Sequence, residues 1–213
     1  FQECGADIVD VGGESTRPPD VYAGSTPVSE EEELSRVIPV IEKVSTRLSI
    51  PISIDTYKSR VASKAIDAGA SMINDVWGFK RDPDMVRLAA DSKVPVILMH
   101  NQDHLRYDDL VPDVIGMLSR MRDGAVTAGI APENIILDPG FGFGKTVQHN
   151  LEIMRRLDEF NVLGRPILVG ISRKSTIGYV LDLPVHERIE GTAAAVALSI
   201  SKGADIVRVH DVK

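Results

Sequence analysis

Seven short apolar segments, each followed by a polar residue or a glycine-rich turn and separated by helical stretches, constrain this chain more than any other feature. They are Ile8–Val11, Pro51–Asp55, Met72–Asn74, Val94–His100, Ile135–Asp138, Pro166–Gly170 and Ile206–Val209. Between them, apolar residues recur at helical spacing. After Ser29, for example, Leu34, Val37, Ile38, Ile41, Val44 and Leu48 mark one face. Ser29 with Glu30, Glu31 and Glu32 supplies a cap and acidic groups at the positive end of that helix. Pro39 inside it predicts a kink or an irregular turn. Further helices are expected over Ser59–Ala68, Asp84–Ser92, Leu110–Ala128, Asn150–Phe160 and Val185–Lys202. Gly5-Ala6-Asp7, Gly69-Ala70-Ser71 and Gly203-Ala204-Asp205 each join a helix end to a strand, a weak internal repeat of an αβ unit.

Strands that alternate with helices must pair in parallel and be covered on both faces. Two architectures satisfy this, an open doubly wound sheet and a closed (β/α)8 TIM barrel. The polar residues favour the barrel. Asp10 with Glu14, Asp55, Asn74, His100, Asp138, Ser172 with Lys174, and Arg208 with His210 all fall at or just past a strand's C-terminal end. A doubly wound sheet gathers its chemistry at one switch point, whereas a barrel gathers it around the whole rim. One domain over residues 1–213 is expected, with 43% apolar residues for its core. A complete barrel averages about 250 residues, so this chain is expected to lack the first strand and last helix, and both ends look cut.

A net charge of −7 argues against nucleic acid or an anionic membrane as a general partner, so an anionic ligand must meet local basic residues. No apolar run approaches the roughly 20 residues of a membrane helix, and no signal peptide opens the chain. The single cysteine, Cys4, excludes an intramolecular disulfide and fits a reducing compartment; it is expected to be buried and structural.

The stretch Asp138-Pro139-Gly140-Phe141-Gly142-Phe143-Gly144-Lys145-Thr146 imitates a phosphate loop at its end. That motif needs a glycine five places before Gly144, where Pro139 stands, and the dinucleotide fingerprint would put its third glycine on Lys145. Neither applies, and a tight glycine turn beyond a strand-end carboxylate remains. Lys145 is expected at the surface. Asp55, Asn74, Asp138 and Lys174 suit a flat heterocycle: carboxylates accept paired N–H groups, an amide does both, and an ammonium donates. Thr16, Arg17, Arg208 and His210 could hold an anion. Capping and surface ion pairs are the ordinary alternative for each residue alone. A Ser–His–Asp site from Ser172 or Ser175 with His210 or His100 lacks a nucleophile elbow. The five histidines are too scattered for zinc. Lys174 also fits a Schiff-base lysine.

Seven ordered motifs resemble dihydropteroate synthase along the whole chain. They are Gly12-Gly13-Glu14-Ser15-Thr16-Arg17-Pro18, Ile54-Asp55-Thr56, Ile73-Asn74-Asp75, Leu98-Met99-His100, Asp138 to Lys145, Ser172-Arg173-Lys174-Ser175 and Arg208-Val209-His210-Asp211-Val212. The resemblance implies a (β/α)8 barrel, usually a cytoplasmic homodimer, and a transferase of folate synthesis. That enzyme joins 6-hydroxymethyl-7,8-dihydropterin pyrophosphate to p-aminobenzoate, and sulfonamides compete with the aminobenzoate. It assigns Asp55, Asn74, Asp138 and Lys174 to the pterin, with Met99 lining the pocket. Arg208 goes over the pterin face and, with His210, to the pyrophosphate, Thr16 and Arg17 to a loop closing over pyrophosphate and aminobenzoate, and Pro18, Phe143 and Ser175 to the aminobenzoate. Asp55, Lys174 and Arg208 are the implied catalytic groups.

The family's loop usually has glycine after Ser-Thr-Arg-Pro, whereas Pro19 stands here and would stiffen it. Mg2+ is the implied cofactor, but no metal ligand is expected among the residues given, since the family's asparagine would precede Phe1. The chain alone is therefore expected not to assemble a competent magnesium–pyrophosphate site. A pterin-dependent methyltransferase shares the pterin triad but should lack the Ser-Thr-Arg-Pro, Ser-Arg-Lys and Arg-x-His motifs. A non-catalytic pterin-binding fragment is the third reading.

Overall fold

The computed structural model describes residues 1–15 and 27–213. Seven parallel strands follow in chain order: β1 (Val9–Gly12), β2 (Ile52–Asp55), β3 (Met72–Asp75), β4 (Val96–Met99), β5 (Ile135–Asp138), β6 (Leu168–Val169) and β7 (Ile206–Val207). The first five form one continuous sheet, β6 pairs with β7, and a bridge from Leu137 to Ile167 links the two. Helices alternate with them: α1 (Glu30–Ser45), α2 (Ser59–Asp67), α3 (Asp84–Ser92), α4 (Leu110–Thr127), α5 (Val147–Arg155), α6 (Ser175–Leu181) and α7 (Ile189–Ser201). This is the (β/α) barrel architecture, and among the described residues no ladder joins β7 back to β1.

The period of two along each strand sorts its side chains between two cores. Val11, Ile52, Ile54, Ile73, Val96, Leu98, Ile135, Leu137, Ile167 and Val169 face the helices in the large outer core, with Val37, Ile41, Leu118 and Phe160. Residues of the opposite parity, Ile8, Met72, Ile97, Ile136, Leu168 and Ile206, pack on each other as a small inner layer. Two positions further along, the same parity gives Asp10, Asn74, Met99, Asp138, Gly170 and Arg208, and Asp55 on β2 joins them. An apolar plug thus closes the interior below, and a polar layer stands at the C-terminal mouth.

The expected cap on α1 is present, with Ser29 Oγ accepting from Glu32 N at 3.2 Å. The helix runs unbroken through Pro39, contrary to expectation. Its cap, acidic first turn and buried Val37 and Ile41 outweigh one lost backbone bond. The Asn150–Phe160 helix starts earlier and ends at Arg155, giving way to a 3-10 segment, Leu157–Leu163. The expected Val185–Lys202 helix begins at Ile189. Helix α6 was not expected, because Ser-Thr-Ile-Gly-Tyr-Val-Leu carries a glycine and β-branched residues, and is too short to show a period. Cys4 is exposed rather than buried, since it lies in the 3-10 turn Gln2–Cys4, none of whose residues reaches a core.

Behind β1, Lys58 at the start of α2 ties together segments far apart in sequence. Its Nζ lies 2.5 Å from both Glu14 Oε2 and Glu33 Oε2 and donates to Val28 O at 2.8 Å. Burial opposes the ammonium there, yet the hydrogen bonds to Glu14 and Glu33 leave its pKa raised.

Candidate active site

The polar layer is assembled around Arg208, just beyond β7. Its Nε lies 2.7 Å from Asp10 Oδ2 on β1, and its Nη2 lies 2.9 Å from Asp55 Oδ2 on β2. Asn74 Nδ2 on β3 donates to the same Asp10 oxygen at 3.2 Å. The last strand is thus tied by charge to the first two. The other oxygen of each carboxylate, Asp10 Oδ1 and Asp55 Oδ1, is buried without a hydrogen-bond partner among the described residues. A buried acceptor left unmet is costly, so these are sites where a ligand's N–H groups would be favoured. Burial, and then the charge of Asp10, push the Asp55 carboxyl up to about 7, with Arg208 pulling the other way. Gly12 leaves space for that carboxylate: a Cβ there would stand 3.2 Å from Asp55 Cβ.

Asp138 closes β5, and its Oδ1 accepts from Gly140 N at 2.7 Å. Burial raises its carboxyl, opposed by Lys174, the Gly140 N–H, Lys145 and Arg208. Lys174 leads into α6, its ammonium donating to Phe141 O and standing 4.8 Å from the centre of the Phe143 ring. Its placement relies on Arg173, whose positive φ of 55° is held by three elements. Thr192 Oγ1 accepts from Arg173 N at 3.0 Å, Asp211 takes its guanidinium at 2.8 and 2.6 Å, and Arg188 Nη1 donates to its carbonyl at 3.0 Å. Gly142, at φ 79°, lets the β5–α5 turn pass the Lys174 stem, which a Cβ would approach to 3.3 Å. Met99 and Phe143 form an apolar wall with Val76 and Trp77.

Asp55, Asn74, Met99, Asp138, Phe143, Lys174 and Arg208 therefore converge on one mouth. His210 stands beside it, Nδ1 3.0 Å from Ser172 Oγ, and Ser175 is exposed at the first position of α6. Thr16, Arg17, Pro18 and Pro19 lie outside the described residues. His100, expected on the rim, is wholly buried behind it. Its Nδ1 is 2.9 Å from Lys145 Nζ. Lys145 is not at the surface either: only 8% exposed, it also donates to Phe143 O at 3.0 Å. A lysine ending a glycine turn reads as solvated, and the fold back of that turn against β4 leaves no mark in local sequence. Asp10 was on the rim but given no role, although its parity with Asp55 and Asn74 could have marked it as inward.

A family model described as "Pterin binding enzyme" matches residues 2–210. The dihydropteroate synthase of Bacillus subtilis is 56% identical over 209 residues, 98% of this chain and 72% of the relative. A crystal structure of dihydropteroate synthase from Clostridium difficile in the presence of pteroic acid superposes with a TM-score of 0.94 at 48% identity, covering 99% of this chain and 79% of the other. The Xanthomonas albilineans dihydropteroate synthase with 4-aminobenzoic acid also gives 0.94, at 44% identity, covering 99% and 76%. With its barrel, its inward polar layer and these relatives in agreement, the chain belongs to the dihydropteroate synthase family of pterin-binding barrels.

Proposed function

We propose that the mouth of this barrel binds the pterin of 6-hydroxymethyl-7,8-dihydropterin pyrophosphate through Asp55, Asn74, Asp138 and Lys174, and joins it to p-aminobenzoate. The activity is that of dihydropteroate synthase, a transferase of folate synthesis. The observation that carries the site is the convergence of these four side chains from four different elements, with Asp55 Oδ1 buried and unmet. Asp138 and Asn74 present acceptors to the amino-pyrimidinone edge, and Lys174 donates to ring oxygen or nitrogen. Met99 lines the ring's apolar side, while Phe143, Pro18 and Ser175 border the aminobenzoate. The solved relatives with pteroic acid and with 4-aminobenzoic acid support this division.

The reaction breaks the bond between the methylene carbon and the pyrophosphate oxygen, and the electron pair leaves with pyrophosphate. The amine nitrogen of p-aminobenzoate supplies the pair for the new carbon–nitrogen bond and then loses a proton. Ionised Asp55 stabilises the positive charge that develops on the pterin methylene, an electrostatic role that needs no covalent enzyme intermediate. Arg208 and His210, with Thr16 and Arg17, receive the anion. Arg208 must exchange its carboxylates for phosphate oxygens to do so.

Magnesium is the cofactor the family resemblance implies. Among the described residues no group of three His, Cys, Asp or Glu side chains could hold it, and Asp10 and Asp55 are engaged by Arg208. They do not fit a metal centre, and no step here runs through one. A homodimer is supported by the exposed apolar residues Tyr179, Val180, Leu181, Val185 and Ile189 on and between α6 and α7. Free Cys4 fits a cytoplasmic setting, and among the described residues no helix is long and apolar enough to cross a membrane.

Calorimetry tests the function: p-aminobenzoate should bind only when pterin and pyrophosphate are present. Pterin binding with no such aminobenzoate binding would favour the methyltransferase or the non-catalytic pterin-binding reading.

A further inference from the structure

Behind the pocket, Lys145 presents a buried amine that the reaction above does not use. It is 8% exposed and reaches the mouth only through the backbone of Phe143. Its Nζ donates to Phe143 O at 3.0 Å and lies 2.9 Å from His100 Nδ1. A Cβ on Gly140 would come within 3.3 Å of the same Nζ. Gly140 is also the residue whose N–H grips Asp138 Oδ1 at 2.7 Å. The amine and the carboxylate therefore lie on either side of a single glycine. Burial and the nearby lysines keep the His100 ring neutral, and its Nε2 is buried without a hydrogen-bond partner among the described residues.

We propose that Lys145 is a positioning residue, a buried ammonium set behind Gly140 that keeps Asp138 an ionised acceptor facing the pterin. The inference rests on the assignment of Asp138 to the pterin. Among the described residues, the charged groups around Lys145 leave it one attractive partner. Asp138 from β5 draws it, whereas Lys174 beyond β6 and Lys80 beyond β3 repel it, and His100 beyond β4 is neutral. Asp138 in turn meets Lys174, Lys145 and Arg208. Burial brings the Lys145 ammonium down to about 7, so its charge is present in acid and fades as the pH passes neutrality. Asp138 is most in need of a counter-charge on that acid side, where burial pulls it toward its protonated form.

Titration of pterin (2-amino-4-oxopteridine) binding by calorimetry from pH 5.5 to 9, on the unaltered chain, Lys145→Met and Lys145→Arg, tests this. Lys145→Met should weaken binding about tenfold at pH 6 and less than twofold at pH 9, with Lys145→Arg keeping the unaltered profile. An equal loss at every pH would mean Lys145 only packs the turn, and would overturn the inference. A second measurement needs no ligand and no folded Lys145→Met. In 13C-lysine NMR, with Lys145→Arg used to assign the resonance, Asp138→Asn should lower the Lys145 midpoint by about one pH unit or more. An unmoved midpoint overturns the inference even if pterin binds normally. Absence of pterin binding to the unaltered chain would overturn the pocket reading instead, and this role with it.

Discussion

Asp55 answers to two opposed demands. In the proposed reaction its carboxylate must be charged to stabilise a cation, yet burial and Asp10 push it up to about 7 from an ordinary 3.8. Across that interval the folded chain holds a proton the unfolded chain has released, so this group's contribution to stability falls as the pH rises from about 4 to 7. Asp55→Asn should therefore raise stability at pH 8 by about 1–3 kcal/mol, a gain that vanishes near pH 4, while abolishing pterin binding. Denaturant titration at the two pH values checks the first outcome and calorimetry the second. Gly140 is a harder constraint. At φ 74°, a Cβ would sit 1.9 Å from His100 O, a backbone atom that cannot swing aside. Gly140→Ala should cost about 2 kcal/mol or more by urea unfolding, and should displace Asp138 with it.

Among the elements, the joint between α1 and α2 carries a buried cluster of charges. Glu33 is 1% exposed and Lys58 9%, so removing the lysine leaves a carboxylate in the interior with no cation. Lys58→Met should destabilise by about 3–5 kcal/mol, and adding Glu33→Leu should restore much of that loss. A double-mutant cycle by denaturant unfolding measures the coupling, and independent, additive effects would contradict it. The same joint holds Glu14 and the Val28 carbonyl, so it fixes both described ends of the β1–α1 connection. Helix α7 behaves differently. Its sequence, Ile-Glu-Gly-Thr-Ala-Ala-Ala-Val-Ala-Leu-Ser-Ile-Ser, is apolar on nearly every face, and Leu198 and Ile200 are more than half exposed.

At the scale of the whole molecule, Arg208 draws the last strand toward the first two with no backbone ladder among the described residues, using Asp10 and Asp55 as its anchors. The exposed apolar face at α6 and α7 belongs to this scale as well. If it is a subunit interface, Tyr179→Glu with Val180→Lys should convert a dimer to a monomer in sedimentation, leaving pterin affinity within about twofold. A monomeric unaltered chain would remove the homodimer reading.

The sequence by itself determined the order of the strands and the barrel class, and it marked the residues proposed to face the pterin. Strand-end residues of one parity must point the same way, and Asp55, Asn74 and Asp138 share that parity. Local chemistry was legible there because a strand's geometry is regular. It failed where contacts join remote segments. Helix α6 has no period to read, Cys4 lies in a turn outside either core, and Lys145 and His100 meet across 45 residues. Only the tertiary structure decided that Arg208 is bound by two carboxylates and that the lysine closing the glycine turn is buried behind Asp138. The reason is physical: burial and charge pairing depend on which groups are neighbours in space, and no local pattern encodes the return of that turn against β4.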